Sequence, residues 1–188
     1  MKRIGVLAFQ GGVIEHVKKI EELGHISVLV KKNEDLEGID GLILPGGEST
    51  TIGKFLIETG LKDKILSLAE QGLPMWGTCA GAILLSKSIK KQGSGVLPLL
   101  SIVVERNAYG SQLDSFRKEV FVPRFNKTTE CVFIRAPKIV EVGSNVEVLA
   151  QLDTPIAVLQ GAILATTFHP ELTSQNYWHS FFIENVVK

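Results

Sequence analysis

A single cysteine stands at the centre of the stretch Gly77-Thr78-Cys79-Ala80-Gly81, with one glycine two residues before it and another two residues after it. The Gly-x-Ser-x-Gly elbow of hydrolases has the same spacing, and there a strand turns sharply into a helix and presents a nucleophile at the tip. We interpret Cys79 as such a nucleophile, with sulfur in place of oxygen. A helix that begins at Ala80 would favour the thiolate through its dipole, and its first N–H would face a developing oxyanion.

The other interpretation of Cys79 is a small buried hydrophobic side chain, which is the usual environment of a free cysteine. The elbow spacing alone does not separate the two, so a matching base elsewhere in the chain is needed. Cys131 is the second cysteine, and because no glycine flanks it we interpret it as a core residue. Two cysteines are too few for a disulfide framework, and they lack metal-ligand spacing.

A candidate base lies near the carboxyl end, where the apolar run 163–168 is followed by His169-Pro170-Glu171. Residues two apart in an extended segment point the same way, so Glu171 can reach the imidazole of His169 and fix its tautomer. Taken alone, the two residues would be a solvated strand end. Together with an elbow cysteine, they meet the requirements of acyl transfer through a thioester.

The predicted positions of the other three histidines do not indicate a catalytic role. His16 is predicted in the first helix and His25 at a turn, which favours a surface position for both. His179 lies within the predicted amphipathic helix at the carboxyl end. The candidate base is therefore His169 alone.

The elements that must position these residues begin with a strand–helix–strand unit, which predicts a parallel sheet with helices on its faces. Strands are predicted at residues 4–9, 26–30, 41–44 and 74–76. Helical segments are predicted at residues 13–23, about 50–58 and 61–71, and from 80 to 86. Each apolar run is short and continuous, as expected for strands covered on both faces.

The second half of the chain changes to short β-type runs separated by turn signals. These runs are residues 119–122, 131–135, 139–142, 146–152, 156–159 and 163–168. Residues 173–188 are predicted to form a last helix, capped by Thr173 or Ser174. The pattern predicts a three-layer α/β fold, with an open, mostly parallel sheet, helices on both faces and an antiparallel addition.

Size and charge set further limits. A chain of 188 residues suits one domain spanning 1–188, and it is long enough to bury a core without a metal or a disulfide. Twenty basic residues balance twenty acidic ones, which argues against nucleic acid or an anionic membrane as a partner. The run 4–9 is too short for a signal peptide, and no run approaches the roughly 18 apolar residues that span a bilayer. We expect a reduced, cytoplasmic protein.

These motifs resemble the class I (triad) glutamine amidotransferases, which share the Gly-x-Cys-x-Gly elbow, a Pro-Gly-Gly loop after an earlier strand and His-Pro-Glu near the carboxyl end. The resemblance extends to the branch of glutaminases that serve a pyridoxal 5′-phosphate synthase. It runs over nearly the whole chain, in segments 5–11, 44–51, 77–81, 106–110, 133–137 and 168–172. Phe9 departs from the expected leucine and puts no role in doubt.

The resemblance implies a flavodoxin-like amidotransferase fold and a glutaminase reaction. Cys79 would attack the side-chain amide of L-glutamine and release ammonia, and water would hydrolyse the resulting thioester. His169 would transfer the protons, and the N–H groups of Gly47 and Ala80 would hold the oxyanion. The resemblance places glutamine against Gly47, Glu48, Ser49, Arg106, Ile134 and Arg135.

The charged members of that set fit a free amino acid. Arg106 or Arg135 is suited to the carboxylate, and Glu48 to the ammonium group. The alternative for each arginine is a solvated surface charge, and the residues alone leave open which of the two binds substrate. No metal and no cofactor is implied.

The resemblance also implies a partner that uses the ammonia. This partner is the (β/α)8-barrel subunit of pyridoxal 5′-phosphate synthase, with twelve glutaminases around a dodecameric core. Gln10 matches the family residue that helps to assemble the oxyanion site when the partner docks. We expect the isolated chain to hydrolyse glutamine poorly and the synthase to activate it.

Three alternatives remain open at this point. In the first, the chain is a class I relative that supplies ammonia to a different synthase. In the second, it is a cysteine hydrolase or chaperone of a related group. In the third, it is a silent module that only binds a partner. Members of the related group place histidine directly after the elbow cysteine, where this chain has Ala80. Intact Cys79, His169 and Glu171 argue against the silent module.

Overall fold

The computed structural model describes residues 1–106 and 115–187, and its centre is a seven-stranded sheet. In spatial order the strands are β10 (Glu147–Gln151), β11 (Pro155–Gln160), β12 (Ile163–Thr166), β4 (Met75–Thr78), β3 (Gly41–Leu44), β1 (Arg3–Leu7) and β2 (Ile26–Val30). Strands β12, β4, β3, β1 and β2 run parallel, whereas β10 and β11 pair antiparallel at one side. The prediction of a mostly parallel sheet with an antiparallel addition is confirmed.

Helices cover both faces of this sheet. They are α1 (Val13–Glu22), α2 (Ser49–Glu58), α3 (Leu61–Glu70), α4 (Ala80–Leu85) and α5 (Tyr177–Phe181). Successive strand residues point to opposite faces, so Leu42 and Leu44 pack with α2 to α4, whereas Ile43 packs with α1 and α5. The result is the predicted three-layer arrangement, with one apolar core on each side of the sheet.

Five further strands of the described residues lie outside the central sheet. β5 (Ser86–Ile89), β6 (Leu100–Glu105) and β9 (Lys138–Val142) form a small sheet, and β7 (Ser115–Val122) pairs with β8 (Lys127–Ile134) as a hairpin. β5 and β6 were not predicted. The polar sequence of β5 follows α4 without a turn signal, and β6 lies before residue 119, where the predicted β-type runs begin.

The prediction for the carboxyl-terminal helix is wrong at its start. Pro170–Leu172 forms a single 3-10 turn, α5 begins only at Tyr177, and Phe182–Val186 is π-helical. The hydroxyl of Thr173 donates to the Pro170 carbonyl at 3.1 Å and accepts from the Gln175 N–H at 3.3 Å. Thr173 therefore closes a turn instead of capping a helix, a common alternative use of a threonine hydroxyl.

Across residues 1–106 and 115–187, none of the helices combines the length and the apolar character that crossing a membrane requires.

Candidate active site

The candidate residues gather at one edge of the central sheet. Cys79 follows β4, His169 lies three residues after the end of β12, the loop that contains Gly46 and Gly47 follows β3, and Gln10 follows β1. These four strands are adjacent and parallel, so their carboxyl ends meet at the same edge. Ligands of open α/β sheets bind at that edge.

Cys79 lies on a strained turn between β4 and α4. Its φ is 49° and its ψ is −102°, a backbone conformation that residues other than glycine rarely adopt. A Cβ at Gly77 would lie 2.4 Å from the carbonyl carbon of Gly81, and a Cβ at Gly81 would lie 2.0 Å from the Leu44 carbonyl oxygen. The flanking glycines therefore let the strand, the turn and the helix touch through their backbones.

We expect Gly81→Ala to lower the free energy of unfolding by about 3 kcal/mol or more, because its methyl group would overlap a backbone atom that cannot rotate away. Gly24→Ala is the control. Gly24 has a φ of 78° but open space around it, so alanine should cost only about 1–2 kcal/mol there. Urea denaturation of both variants measures the difference, and an equal loss would contradict the contact argument.

The structure brings Cys79, His169 and Glu171 together. The Nδ1 atom of His169 lies 2.7 Å from Glu171 Oε1, and the imidazole and the Cys79 side chain both lie against the backbone of Gly46. All three residues are buried. Burial acts to lower the pKa of His169, but its hydrogen bonds to Cys79 and Glu171 raise that pKa to about 10. An imidazolium next to sulfur stabilises a thiolate, which is the reactive form of cysteine.

The Glu171 carboxylate lies behind His169, against the start of α1. A Cβ at Gly12 would lie only 2.6 Å from Glu171 Oε1, so a larger residue there would displace the carboxylate. Burial acts to raise the pKa of Glu171, but its neighbours His16 and His169 hold that pKa below its ordinary value. Glu171 is therefore a carboxylate at neutral pH and orients the imidazole.

The loop after β3 covers this group. A Cβ at Gly46 would lie 2.4 Å from His169 Cε1, so the loop backbone packs directly on the imidazole. The N–H of Gly46 donates to Thr78 Oγ1 at 3.1 Å, and the N–H of Glu48 donates to Gln10 Oε1 at 2.9 Å. The Gly46–Gly47 peptide is thus fixed at both ends, by Thr78 in β4 and by Gln10, which follows β1.

A cavity of about 360 Å³ opens over the cysteine and the imidazole. Its wall includes every candidate site residue except Glu171, which lies behind His169. The candidate residues in the wall are Gln10, Gly47, Glu48, Ser49, Cys79, Ala80, Arg106, Ile134, Arg135 and His169. Its size and its mixture of charged and backbone groups suit a small polar ligand such as an amino acid.

Two of the charged wall residues pair with each other. Arg106 donates to Glu48 Oε1 at 3.1 Å. The Glu48 carboxylate also accepts from the N–H groups of Thr50 and Thr51 and so caps α2. Despite some desolvation, these donors lower the pKa of Glu48 to about 2. Residues 107–110, which complete the resembling segment that starts at Arg106, lie outside the described residues.

The interpretation of His16 as a surface residue is wrong. His16 and His179 are both fully buried behind Glu171, with His16 Nδ1 2.9 Å from His179 Nε2. The spacing of Val13, His16, Val17 and Ile20 places this histidine on the apolar face of α1, and that signal was available in the sequence. His25 is half-buried, and Cys131 lies in the core as predicted.

The fold and the gathered residues define a class I glutamine amidotransferase. The solved crystal structure of a glutamine amidotransferase is 46% identical, with a TM-score of 0.91, and covers 97% of this chain and 98% of that one. PurLQS from Thermotoga maritima has a TM-score of 0.71 at 19% identity, with coverage of 98% and 99%, and shares the fold.

Within that class, the chain belongs to the SNO glutamine amidotransferase family, whose model matches residues 6–188. The pyridoxal 5′-phosphate synthase subunit PdxT of Caldicellulosiruptor saccharolyticus is 94% identical over the full length of both chains. PdxT of Clostridium beijerinckii is 50% identical over 97% of each chain. The resemblance inferred from the motifs is confirmed.

Proposed function

We propose that the chain, as one glutaminase domain over residues 1–188, hydrolyses L-glutamine to L-glutamate and ammonia for a pyridoxal 5′-phosphate synthase. The observation that carries this proposal is the contact of Cys79, His169 and Glu171 at the floor of a small polar cavity. Membership of a glutamine amidotransferase family and the names of the PdxT relatives support it.

The first half of the reaction forms a thioester. The Cys79 thiolate attacks the side-chain amide carbon of glutamine, and a carbon–sulfur bond forms while the carbonyl oxygen becomes an oxyanion. The N–H groups of Gly47 and Ala80 donate hydrogen bonds to this oxyanion, and each such donor contributes roughly 3–4 kcal/mol in other enzymes. The His169 imidazolium then gives its proton to the amide nitrogen, the carbon–nitrogen bond breaks, and ammonia leaves.

The second half regenerates the thiolate. Neutral His169 takes a proton from a water molecule as that water attacks the thioester carbon, and a second oxyanion forms at the same donors. The carbon–sulfur bond breaks to release glutamate, and the imidazolium–thiolate pair is restored. Throughout, Glu171 holds the imidazole in the tautomer that presents its other nitrogen to the reacting atoms.

The cavity wall supplies partners for the amino-acid end of glutamine. Arg106 or Arg135 binds the carboxylate, and Glu48 binds the ammonium group, since the Glu48 pKa of about 2 keeps it ionised at neutral pH. Ser49 and Ile134 complete the wall. Arg106 already pairs with Glu48, so this pair presents both charges that a zwitterion needs.

The ammonia passes to a docked synthase barrel in an assembly of twelve glutaminases on a dodecameric core. Gln10 is the residue through which docking reaches the oxyanion loop, since its side chain holds the Glu48 N–H. Mass photometry of the mixed subunits tests the stoichiometry, and a particle with fewer bound glutaminases would contradict it.

We expect the chain alone to release ammonia slowly and the synthase subunit to accelerate release on the order of 10²-fold, the effect of one oriented oxyanion donor. The measurement is ammonia release from glutamine with and without the synthase. Synthase alone and synthase with the Cys79→Ala chain are the controls. Full turnover by the chain alone, unchanged by the synthase, would contradict activation, and no turnover in either case would support a silent partner-binding module.

A further inference from the structure

A buried polar cluster lies behind the Cys79–His169 pair, and the proposed mechanism does not use it. It consists of His16 from α1, Thr78 from β4 and His179 from α5, and we call these three residues the buried histidine cluster. None of the three is exposed to solvent. Burying three polar side chains is costly unless each makes a specific interaction, so the position of every polar atom is informative.

One nitrogen of His16 faces two parts of the candidate site. His16 Nε2 lies 3.5 Å from Glu171 Oε2 and 3.3 Å from Thr78 Oγ1. Thr78 Oγ1 in turn accepts the Gly46 N–H at 3.1 Å. A single imidazole therefore contacts both the carboxylate that orients His169 and the hydroxyl that holds the oxyanion loop.

The surroundings decide which nitrogen of His16 carries the proton. Burial lowers the pKa of His16, against the opposing effect of Glu171, and burial also lowers the pKa of His179. Each ring is therefore neutral, with one donor and one acceptor nitrogen. A lone pair on His16 Nε2 would face the Glu171 carboxylate, so the proton is on Nε2. His16 Nδ1 then accepts from His179 Nε2 at 2.9 Å.

The environment of His179 Nδ1, the remaining ring nitrogen of the cluster, is consistent with this assignment. Within the described part of the chain, His179 Nδ1 has no hydrogen-bond partner, and neither has Glu171 Oε2, which lies 3.5 Å from His16 Nε2. In the assigned tautomers His179 Nδ1 is an unpaired acceptor. In the opposite tautomers it would be an unpaired buried N–H, while His16 Nε2 would present a lone pair to a carboxylate. The assigned pair is the one that turns an N–H, and not a lone pair, toward the Glu171 carboxylate.

We propose that His16 is a positioning residue that aligns the catalytic carboxylate and the oxyanion loop together. Its Nε2–H, fixed in that tautomer by His179, faces Glu171 Oε2 at 3.5 Å, an electrostatic contact longer than a hydrogen bond, and holds the Gly46 peptide through Thr78. His16 does not line the cavity. The inference rests on the proposed glutaminase function and adds a residue to it. Misalignment of Glu171 and the oxyanion loop reduces the stabilisation of the transition state more than it reduces substrate binding, so we expect a change in kcat.

Two amide variants test the proposal. His16→Gln keeps an N–H donor at about the reach of Nε2, whereas His16→Asn places the same amide at about the reach of Nδ1. Both bury the same polar group, so they differ mainly in where the donor lies. With the synthase present, we expect His16→Asn to lower kcat on the order of 10²-fold with little change in KM, and His16→Gln to restore most of kcat.

Thr129→Val is the control for general loosening of the core. Thr129 is fully buried on β8 and accepts from Trp178 Nε1 at 3.3 Å. We expect this variant to lower Tm and to keep the parent kcat. Equal kcat for the Gln and Asn variants of His16, or an equal fall of kcat in Thr129→Val, would overturn the proposal. A parent chain that releases no ammonia with the synthase would instead reject the glutaminase function.

A second pair of variants keeps the proposal testable if the His16 variants do not fold. Thr78→Ser retains the hydroxyl between His16 and the Gly46 N–H, whereas Thr78→Val removes it at almost constant volume. We expect kcat to fall on the order of 10-fold to 10²-fold in Thr78→Val and to remain close to the parent in Thr78→Ser. The same kcat in both variants would show that the hydroxyl does not transmit the position of His16.

Discussion

Replacing Cys79 by alanine is expected to abolish ammonia release from glutamine, with a fall in kcat of at least roughly 10⁴-fold when the synthase subunit is present. The nucleophile would be lost while the cavity and the oxyanion donors remain. Water held by those donors is a much poorer nucleophile than a thiolate beside an imidazolium. Steady-state ammonia release at saturating glutamine measures the effect.

Cys131→Ala is the matched control, because the same atoms are removed from the second cysteine. Cys131 is fully buried on β8, its sulfur lies 3.8 Å from Thr129 Oγ1, and burial raises its pKa to about 12. It is therefore a thiol at neutral pH and lies outside the cavity. We expect an unchanged kcat and a loss of about 1 kcal/mol in the free energy of unfolding. A Cys79→Ala chain as active as the parent would remove the enzyme interpretation.

The elbow was predictable from the sequence because its constraints are local. Glycines two residues before and after Cys79 permit backbone contacts that any Cβ would block. All the residues that this requirement involves lie within the five-residue stretch 77–81. The pairing of Cys79 with His169 was inferred from side-chain chemistry, not from topology. Cys79 and His169 come together because β4 and β12 are neighbours in the sheet. Hydrophobic periodicity predicts where strands occur but not their spatial order.

The buried histidine cluster was missed because a histidine has two common environments. Its polarity favoured the surface, and the helical spacing that places His16 on the apolar face of α1 was not applied to it. The partners that make burial tolerable, Thr78 and His179, come from β4 and α5. Only the three-dimensional fold brings these three segments together, so a buried polar cluster of this kind has little local signal.

The errors in secondary structure have a similar origin. β5 begins directly after α4 with the polar sequence Ser-Lys-Ser-Ile, and its identity as a strand depends on pairing with β6. At the carboxyl end, Thr173 and Ser174 are good caps by type, but the Thr173 hydroxyl is already used in the turn that follows Glu171. Tertiary pairing thus overrode local propensity at β5, whereas a competing local hydrogen bond did so at Thr173.

Replacing Glu171 by glutamine is expected to lower kcat on the order of 10³-fold or more and to move the pH dependence of activity. Glutamine has almost the same shape, so Cys79 and His169 remain in place, but the negative charge beside the imidazole is lost. Burial acts to lower the pKa of His169, and the bonds to Cys79 and Glu171 raise it to about 10. Without the carboxylate, burial is opposed less, so the pKa of His169 falls.

The direction of the pH effect follows from the role of the imidazolium. His169 must be protonated to release ammonia, so activity is lost as the pH rises through its pKa. In the parent this alkaline limit lies near pH 10, and in Glu171→Gln it moves to lower pH. The pH profile of kcat/KM and an NMR titration of His169 measure the shift. Glu130→Gln, which removes a carboxylate paired with Arg117 at the surface, should leave the limit unchanged. An alkaline limit at the same pH in Glu171→Gln and the parent would show that Glu171 does not set the protonation state of His169.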